Sequence, residues 1–264
     1  MRLTRRGTLP LLVFDHLTGY PPFVHAISTR WGGSSQPPFH DLNLSYGVPD
    51  DAAAVTSNRE RLCRALDLEP SAIFQPGLIH GRDVVVDPQP MAMDDPARPD
   101  ADVDVLTRPG PAIVMTSADC VPVVAYDPAR GIAGAAHSGW RGTVVGATAV
   151  LLETMRECGS RSEDILIGIG PSIGPCCYQV GPDVVAEVRD GFAEPDELLP
   201  PGRDGGVHFD LWRGNLRHCR DAGVPEANVR VAELCTSCLT SLFFSHRGDR
   251  GRTGRFAAIV ALRR

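Results

Sequence analysis

The chain has 264 residues, 43% of them apolar, and a formal net charge of -6. That length and apolar share support a sizeable core, and a single domain over residues 1–264 is expected. The acidic balance gives no general electrostatic reason to bind nucleic acid, and no apolar run is long enough to cross a bilayer, so neither is expected as a partner.

At the start, Arg5-Arg6 ahead of an apolar stretch has the look of an export signal. Pro10 interrupts that stretch, Asp15-His16 ends it, and no small-residue cleavage site follows. An N-terminal strand led in by a basic tail is therefore expected. Residues 51–68 carry Val55, Leu62, Cys63 and Leu66 at helical spacing behind a capping aspartate, Asp50 or Asp51. Residues 83–87 read as a short strand. Runs rich in β-branched residues predict strands over 112–116, 121–126, 131–136, 165–169 and 256–262. Several are almost wholly apolar, as strands covered on both faces are. A helix over 143–158 follows the Gly-Trp-Arg-Gly turn. Another opens at Pro182, and a third spans 210–222, stopped by Gly223 and Pro225. Strands and helices do not alternate regularly, so the predicted class is α+β.

Three residues stand out chemically: His80, Cys120 and His137. Cys120 sits in Ala118-Asp-Cys-Val-Pro122, in the break between two predicted strands. His137 closes a strand and is followed by Ser138-Gly-Trp-Arg-Gly142, a turn whose glycines let backbone approach a ligand. There Trp140 offers an apolar wall, and Arg141 either an anion clamp or a structural ion pair. His80 lies in a loop just before the 83–87 strand. Loop residues at strand ends are where catalytic groups collect. If the three meet, two imidazoles and a thiolate favour zinc or copper over harder ions and leave one coordination position open. Without metal, the same set could arm a cysteine nucleophile with a histidine base.

Eight cysteines make an even count, but adjacent Cys176-Cys177 do not pair readily with each other, and the chain has core enough without a disulfide framework. Mostly free thiols and a cytoplasmic location are expected. Cys235-Thr-Ser-Cys238 is a lone CxxC with no second such motif and no thioredoxin-like context, so structural or incidental thiols are expected there.

The segments around Cys120 and His137, together with Ile169-Gly-Pro-Ser-Ile-Gly-Pro-Cys-Cys-Tyr178, resemble the signature of the YfiH/laccase-domain family. Ser28-Thr-Arg-Trp-Gly-Gly33, Leu42-Asn-Leu44, Phe244-Ser-His-Arg247 and Thr253-Gly-Arg255 extend the likeness over nearly the whole chain. The resemblance implies a layered α+β sandwich, similar to that of toxin deamidases with a Cys-His pair. It also implies zinc held by His80, Cys120 and His137, with copper as an in vitro substitute. The implied activity is phosphorolysis of purine nucleosides such as adenosine or inosine, with phosphate as co-substrate, and deamination of adenosine. The chain departs from the family pattern at Leu78, where glutamine is usual, and at Gln179, where glutamate is usual; neither change removes a proposed ligand. Arg30, Asn43, Arg247 and Arg255 lie in the matching motifs and are the candidate substrate-binding residues.

Two other functions compete. A copper oxidase of phenols would need a histidine-rich trinuclear cluster, and the eight histidines include no His-x-His motif. A metal-free amidase that edits peptidoglycan precursors would use Cys120 as nucleophile and His137 as base.

Overall fold

The computed structural model of the chain describes residues 1–92, 95–202 and 205–263. In chain order the strands are β1 (Arg2–Arg6), β2 (Leu9–Val13), β3 (Phe23–Ser28), β4 (Ile73–Phe74), β5 (Val84–Val86), β6 (Val103–Leu106), β7 (Ala112–Ser117), β8 (Val121–Asp127), β9 (Ile132–Ser138), β10 (Leu166–Ile169), β11 (Val229–Val231) and β12 (Phe256–Leu262). The helices are α1 (Ala52–Ala65), α2 (Trp140–Val145), α3 (Ala147–Glu157), α4 (Pro182–Gly191) and α5 (Leu211–Asp221). One sheet runs β1-β2-β3-β12-β7-β4 and the other β11-β10-β8-β9-β6-β5. Both are mixed, with parallel pairs at β4–β7, β5–β6 and β10–β11. The chain is α+β, as its irregular element order predicts.

The two sheets stack face to face, and the period-2 alternation of the strands sorts their residues into layers. Along β12, Phe256, Ala258 and Val260 enter the core between the sheets, with Phe14, Met115, Val124 and Tyr126. The intervening Ala257, Ile259 and Ala261 face outward and pack with Leu62, Cys63 and Leu66 of the α1 region. On the far side, Val121, Val123 and Ala125 of β8 pack with Leu151, Leu152 and Met155 of α3 and Cys219 of α5. The order of layers is helix, sheet, sheet, helices. Central strands are covered on both faces, which is why β7, β8, β9 and β12 read as continuous apolar runs.

Local chemistry sets the helix ends. The Asp51 side chain accepts from the Ala53 N–H at the start of α1, and Asp210 does the same for Arg213 in α5. Two expectations change in detail. The helix predicted over 143–158 begins earlier, at Trp140, and breaks at Gly146, whose φ of 83° ends α2 and starts α3 on a new axis. The basic N-terminal tail is itself β1, an exposed edge strand paired antiparallel with β2. Its arginines suit an edge, because charge there discourages pairing with another chain. Among the described residues no helix is long and apolar enough to cross a membrane.

Candidate active site

Strand register brings the three singled-out residues together. In the β8–β9 hairpin Pro122 pairs with His137, so Cys120, two residues before Pro122, reaches the same end of the sheet. On the other side β6 pairs with β9, and the His137 N–H donates to the Asp102 carbonyl at 2.8 Å. Parallel pairing of β5 with β6 then lays the loop before β5, with His80, alongside Asp102. The segment 118–120 crosses from β7 in one sheet to β8 in the other, so the site lies where the two sheets hand over the chain. His137 is followed by one more strand residue, Ser138, and then by Gly139 alone, the N-cap of α2.

Ligand atoms of His80, Cys120 and His137 all lie within 4.8 Å of one another. The two imidazoles meet edge to face at a centroid distance of 5.1 Å. His137 is buried, Cys120 is half-buried and His80 is exposed. Gly139 makes the convergence possible. A Cβ there would stand 2.7 Å from Cys120 Sγ and 3.2 Å from His80 Cδ2.

Asp102 organises both histidines. Its Oδ1 lies 2.8 Å from His137 Nδ1, which leaves Nε2 of that ring directed to the site. Its Oδ2 accepts from the N–H groups of Gly81 at 2.7 Å and Ile79 at 3.2 Å, the residues flanking His80. That grip holds His80 at a φ of 59°, in the left-handed region. Burial works against the Asp102 charge, but the bonds from His137 and Gly81 outweigh it and keep the carboxyl below its ordinary range. Two residues on, buried Asp104 has no partner for either oxygen among the described residues. Its burial, reinforced by the Asp102 charge, raises its carboxyl well above the usual range.

Burial pushes the Cys120 thiol up. The His137 charge and hydrogen bonds from both histidines outweigh that and bring it down to about 6. Burial likewise lowers His137, but the Cys120 thiolate and Asp102 carry it up to about 9. The site is thus built for a thiolate beside a positive charge. A proton on His137 Nε2 can supply that charge, and so can a soft metal cation in its place. Two imidazoles, a thiolate and a carboxylate behind one imidazole fit zinc or copper well.

These groups open into a cavity of about 600 Å³, inside the range of roughly 300–1,000 Å³ typical of small-molecule sites. Trp140 and Tyr178 supply flat walls, and Arg141, Arg247, Arg255 and His246 supply polar ones. The Arg141 guanidinium lies over Trp140 at 4.4 Å, and Arg247 lies over Tyr178 at 5.2 Å. Burial, reinforced by the nearby Cys120 charge, raises the Tyr178 phenol and keeps it protonated. Arg255 precedes β12, whose Phe256 pairs with Ser117 at the start of the crossover. Burial disfavours its charge, and its Nη1 donates to the Thr253 and Gly254 carbonyls, at 3.1 and 2.9 Å. Among the described residues none of these three arginines forms an ion pair with a carboxylate.

Arg30 and Asn43 do not line the cavity. Buried Arg30 donates to the carbonyls of His40 and Thr240 and covers the Phe244 ring at 4.6 Å, so it ties loops together. Asn43 is also buried. Its Oδ1 accepts from the Arg255 N–H at 2.9 Å, and its amide donates to Asp50 at 2.8 Å, so it bears on the cavity through the backbone of Arg255. Asp119, next to Cys120, was not singled out in the sequence. It takes a φ of 92° and is held there by Thr236 Oγ1 and the Arg247 N–H, both at 2.6 Å. Asp102 was missed too, although acids alternating with valines in Asp102-Val-Asp-Val105 are a signal in a strand otherwise fit for burial.

The profile of the family described as multi-copper polyphenol oxidoreductase laccase matches residues 24–263. Purine nucleoside phosphorylase YlmD of Geobacillus stearothermophilus is 38% identical over 262 residues, with 93% of each chain covered. Purine nucleoside phosphorylase ORF3 of Streptomyces griseus is 36% identical, with 90% of this chain and 93% of the relative covered. The crystal structure of YfiH from Bacillus licheniformis superposes with a TM-score of 0.88 at 32% identity, over 97% of this chain and 96% of that one. The chain belongs to the laccase-domain family of YfiH and YlmD.

Proposed function

We propose that the chain is a zinc-dependent purine nucleoside phosphorylase, cytoplasmic, that also deaminates adenosine in the same cavity. The observation that carries the reading is the convergence of His80, Cys120 and His137 on one wall of a cavity whose other walls are aromatic and guanidinium. Relatives covering the chain almost end to end bear the phosphorylase name. Phosphorolysis brings together an anion, a flat base and a sugar that becomes cation-like, so a site for it needs those elements.

Zinc held by the three side chains would act as a Lewis acid towards the departing base, or towards water in deamination. The chain's own residues do the rest. Asp102 holds the proton on His137 Nδ1 and orients that ring. Arg255 and Arg247 bind and align phosphate, because a guanidinium forms paired charge-assisted bonds with its oxygens. Trp140 and Tyr178 flank the purine and keep water from its faces. Cys120 is a ligand here and forms no bond to the substrate.

Multi-copper chemistry is less well supplied. Among the described residues two groups of side chains could hold a metal, one with two histidines and the other with none. Metal analysis of protein purified without added metal, with a product assay on adenosine plus phosphate, tests the reading. About one zinc lost on Cys120→Ala, and ribose 1-phosphate formed with adenine or hypoxanthine only by the parent, are expected. Covalent trapping of Cys120 by an electrophilic amide, with no ribose 1-phosphate, would replace the reading with the cysteine amidase.

A further inference from the structure

The second of those groups lies outside the catalytic cavity. We propose that Cys176, Cys177, Cys235 and Cys238 form a separate tetrathiolate site for a soft divalent cation, with zinc the ion expected. The two cysteine pairs are far apart in sequence, yet all four sulfurs lie within 4.8 Å of one another. Cys238 Sγ is 3.3 Å from Cys177 Sγ and 3.6 Å from Cys176 Sγ. A tetrahedral zinc with Zn–S bonds of about 2.3 Å sets its sulfurs about 3.8 Å apart, so these two separations lie within about 0.5 Å of that geometry and shifts of at most about 1 Å complete the shell. Harder cations would want oxygen, and none of the four donors is an oxygen.

The backbone is arranged as such a site needs. The Gly174 N–H donates to Cys235 Sγ at 3.3 Å, which stabilises negative charge on that sulfur. A turn places Cys177 and Tyr178 over Gly174, since both N–H groups donate to its carbonyl at 3.0 Å. The partner loop is brought alongside by two bonds about Ser172: its N–H donates to Leu234, and the Thr236 N–H donates to its carbonyl. Cys235 is buried at the back and Cys176 and Cys238 are exposed at the front, so an ion enters from solvent. Binding releases the thiol protons and changes no oxidation state.

The location gives the ion a purpose. One side of the cluster carries Tyr178, a cavity wall. The other carries Thr236, which holds Asp119 beside Cys120. A cation here clamps two walls of the catalytic cavity together without touching substrate. It also gives Cys235-Thr-Ser-Cys238 the second pair of thiols that the linear sequence does not offer it.

The test uses the full chain, purified anaerobically, with zinc counted per chain in the parent, in Cys120→Ala, in Cys176→Ser/Cys238→Ser and in the triple variant. The expected counts are two, one, one and none. Cobalt loaded into Cys120→Ala should show the intense sulfur-to-metal charge-transfer bands of a tetrathiolate. Because Cys120→Ala empties only the catalytic centre, failure of that centre and failure of the cluster read out separately. Should the serine variants fail to fold, alkylation of the parent decides. Exposed Cys176 and Cys238 should react slowly until a chelator is added, and rapid alkylation without chelator would overturn the proposal. So would a folded Cys120→Ala protein with no zinc and no cobalt bands, or a Cys177–Cys238 disulfide in the anaerobic preparation.

Discussion

Replacing Asp102 by asparagine removes a charge and one acceptor while keeping the shape. In the parent one carboxylate oxygen holds His137 Nδ1 at 2.8 Å and the other accepts two N–H groups beside His80. An asparagine cannot serve both sides. If its oxygen faces Gly81 and Ile79, its NH₂ meets His137 Nδ1 and forces the proton onto Nε2, the atom the metal needs. If it is flipped, the NH₂ faces two N–H donors and the His80 loop loses its grip. Outer partners of this kind are worth roughly 10–100-fold in metal affinity, and here one residue serves two ligands. The expected result is about 100-fold weaker zinc binding in a chelator competition, with phosphorolysis falling in parallel and recovering in part at high zinc. KM for phosphate should hardly change, because no arginine of the cavity touches Asp102. If the variant is folded by circular dichroism and binds zinc as tightly as the parent, the argument that Asp102 sets both histidines is wrong.

Three more outcomes are expected. Gly139→Ala, at a φ of -67° that alanine accepts, drives a methyl within 2.7 Å of Cys120 Sγ. Displacement of the sulfur by about 1 Å should cost on the order of 100-fold in kcat/KM, with overpacking lowering stability by about 1–3 kcal/mol; unchanged kinetics would show that the sulfur position is not critical. Arg255→Ala should raise KM for phosphate at least about tenfold, the effect of losing one charge-assisted contact, with little change for the nucleoside; an equal rise for both substrates would argue against phosphate at that side chain. Buried His25 accepts from the Phe14 N–H at 2.9 Å, and burial lowers it to about 4. Its folded value lies below the ordinary 6.5, so its neutral form favours folding. Stability is full above pH 6.5, declines as pH falls, and by pH 4 has lost about 3 kcal/mol from this group. Urea midpoints across that range, for the parent and His25→Gln, measure it, and an equal slope in both proteins would remove His25 as the cause.

Much was legible before folding because it is local. Capping aspartates, apolar runs and terminal glycines act within a few residues, so β7, β8, β9, β12, α1, α4 and α5 lie close to where their sequences put them. The break at Gly146 was missed because a single glycine inside an apolar, alanine-rich run is compatible with a continuous helix. Whether it bends there depends on how α2 and α3 pack separately. The chemical character of His80, Cys120 and His137 was also visible, since a thiol and imidazoles beside glycine-rich turns are unusual in any context.

Partnership is what only the tertiary structure decided. Arg30 and Arg255 look alike in sequence, each in a glycine-containing motif. One is used up by carbonyls between loops and the other faces the cavity: both lie at the same end of the β3–β12 pair, but Arg255 leads into β12, whose Phe256 pairs with Ser117 of β7 at the crossover. Asp102 gains its importance only when β6 pairs with β9 and β5 with β6, and the two cysteine pairs meet only when distant turns close on each other. Sequence determines which groups can react and which segments prefer strand or helix, because those depend on side-chain chemistry and nearest neighbours. Register and burial across the whole chain decide which of those groups share a point in space, and hydrogen bonds and charge act only over such short distances.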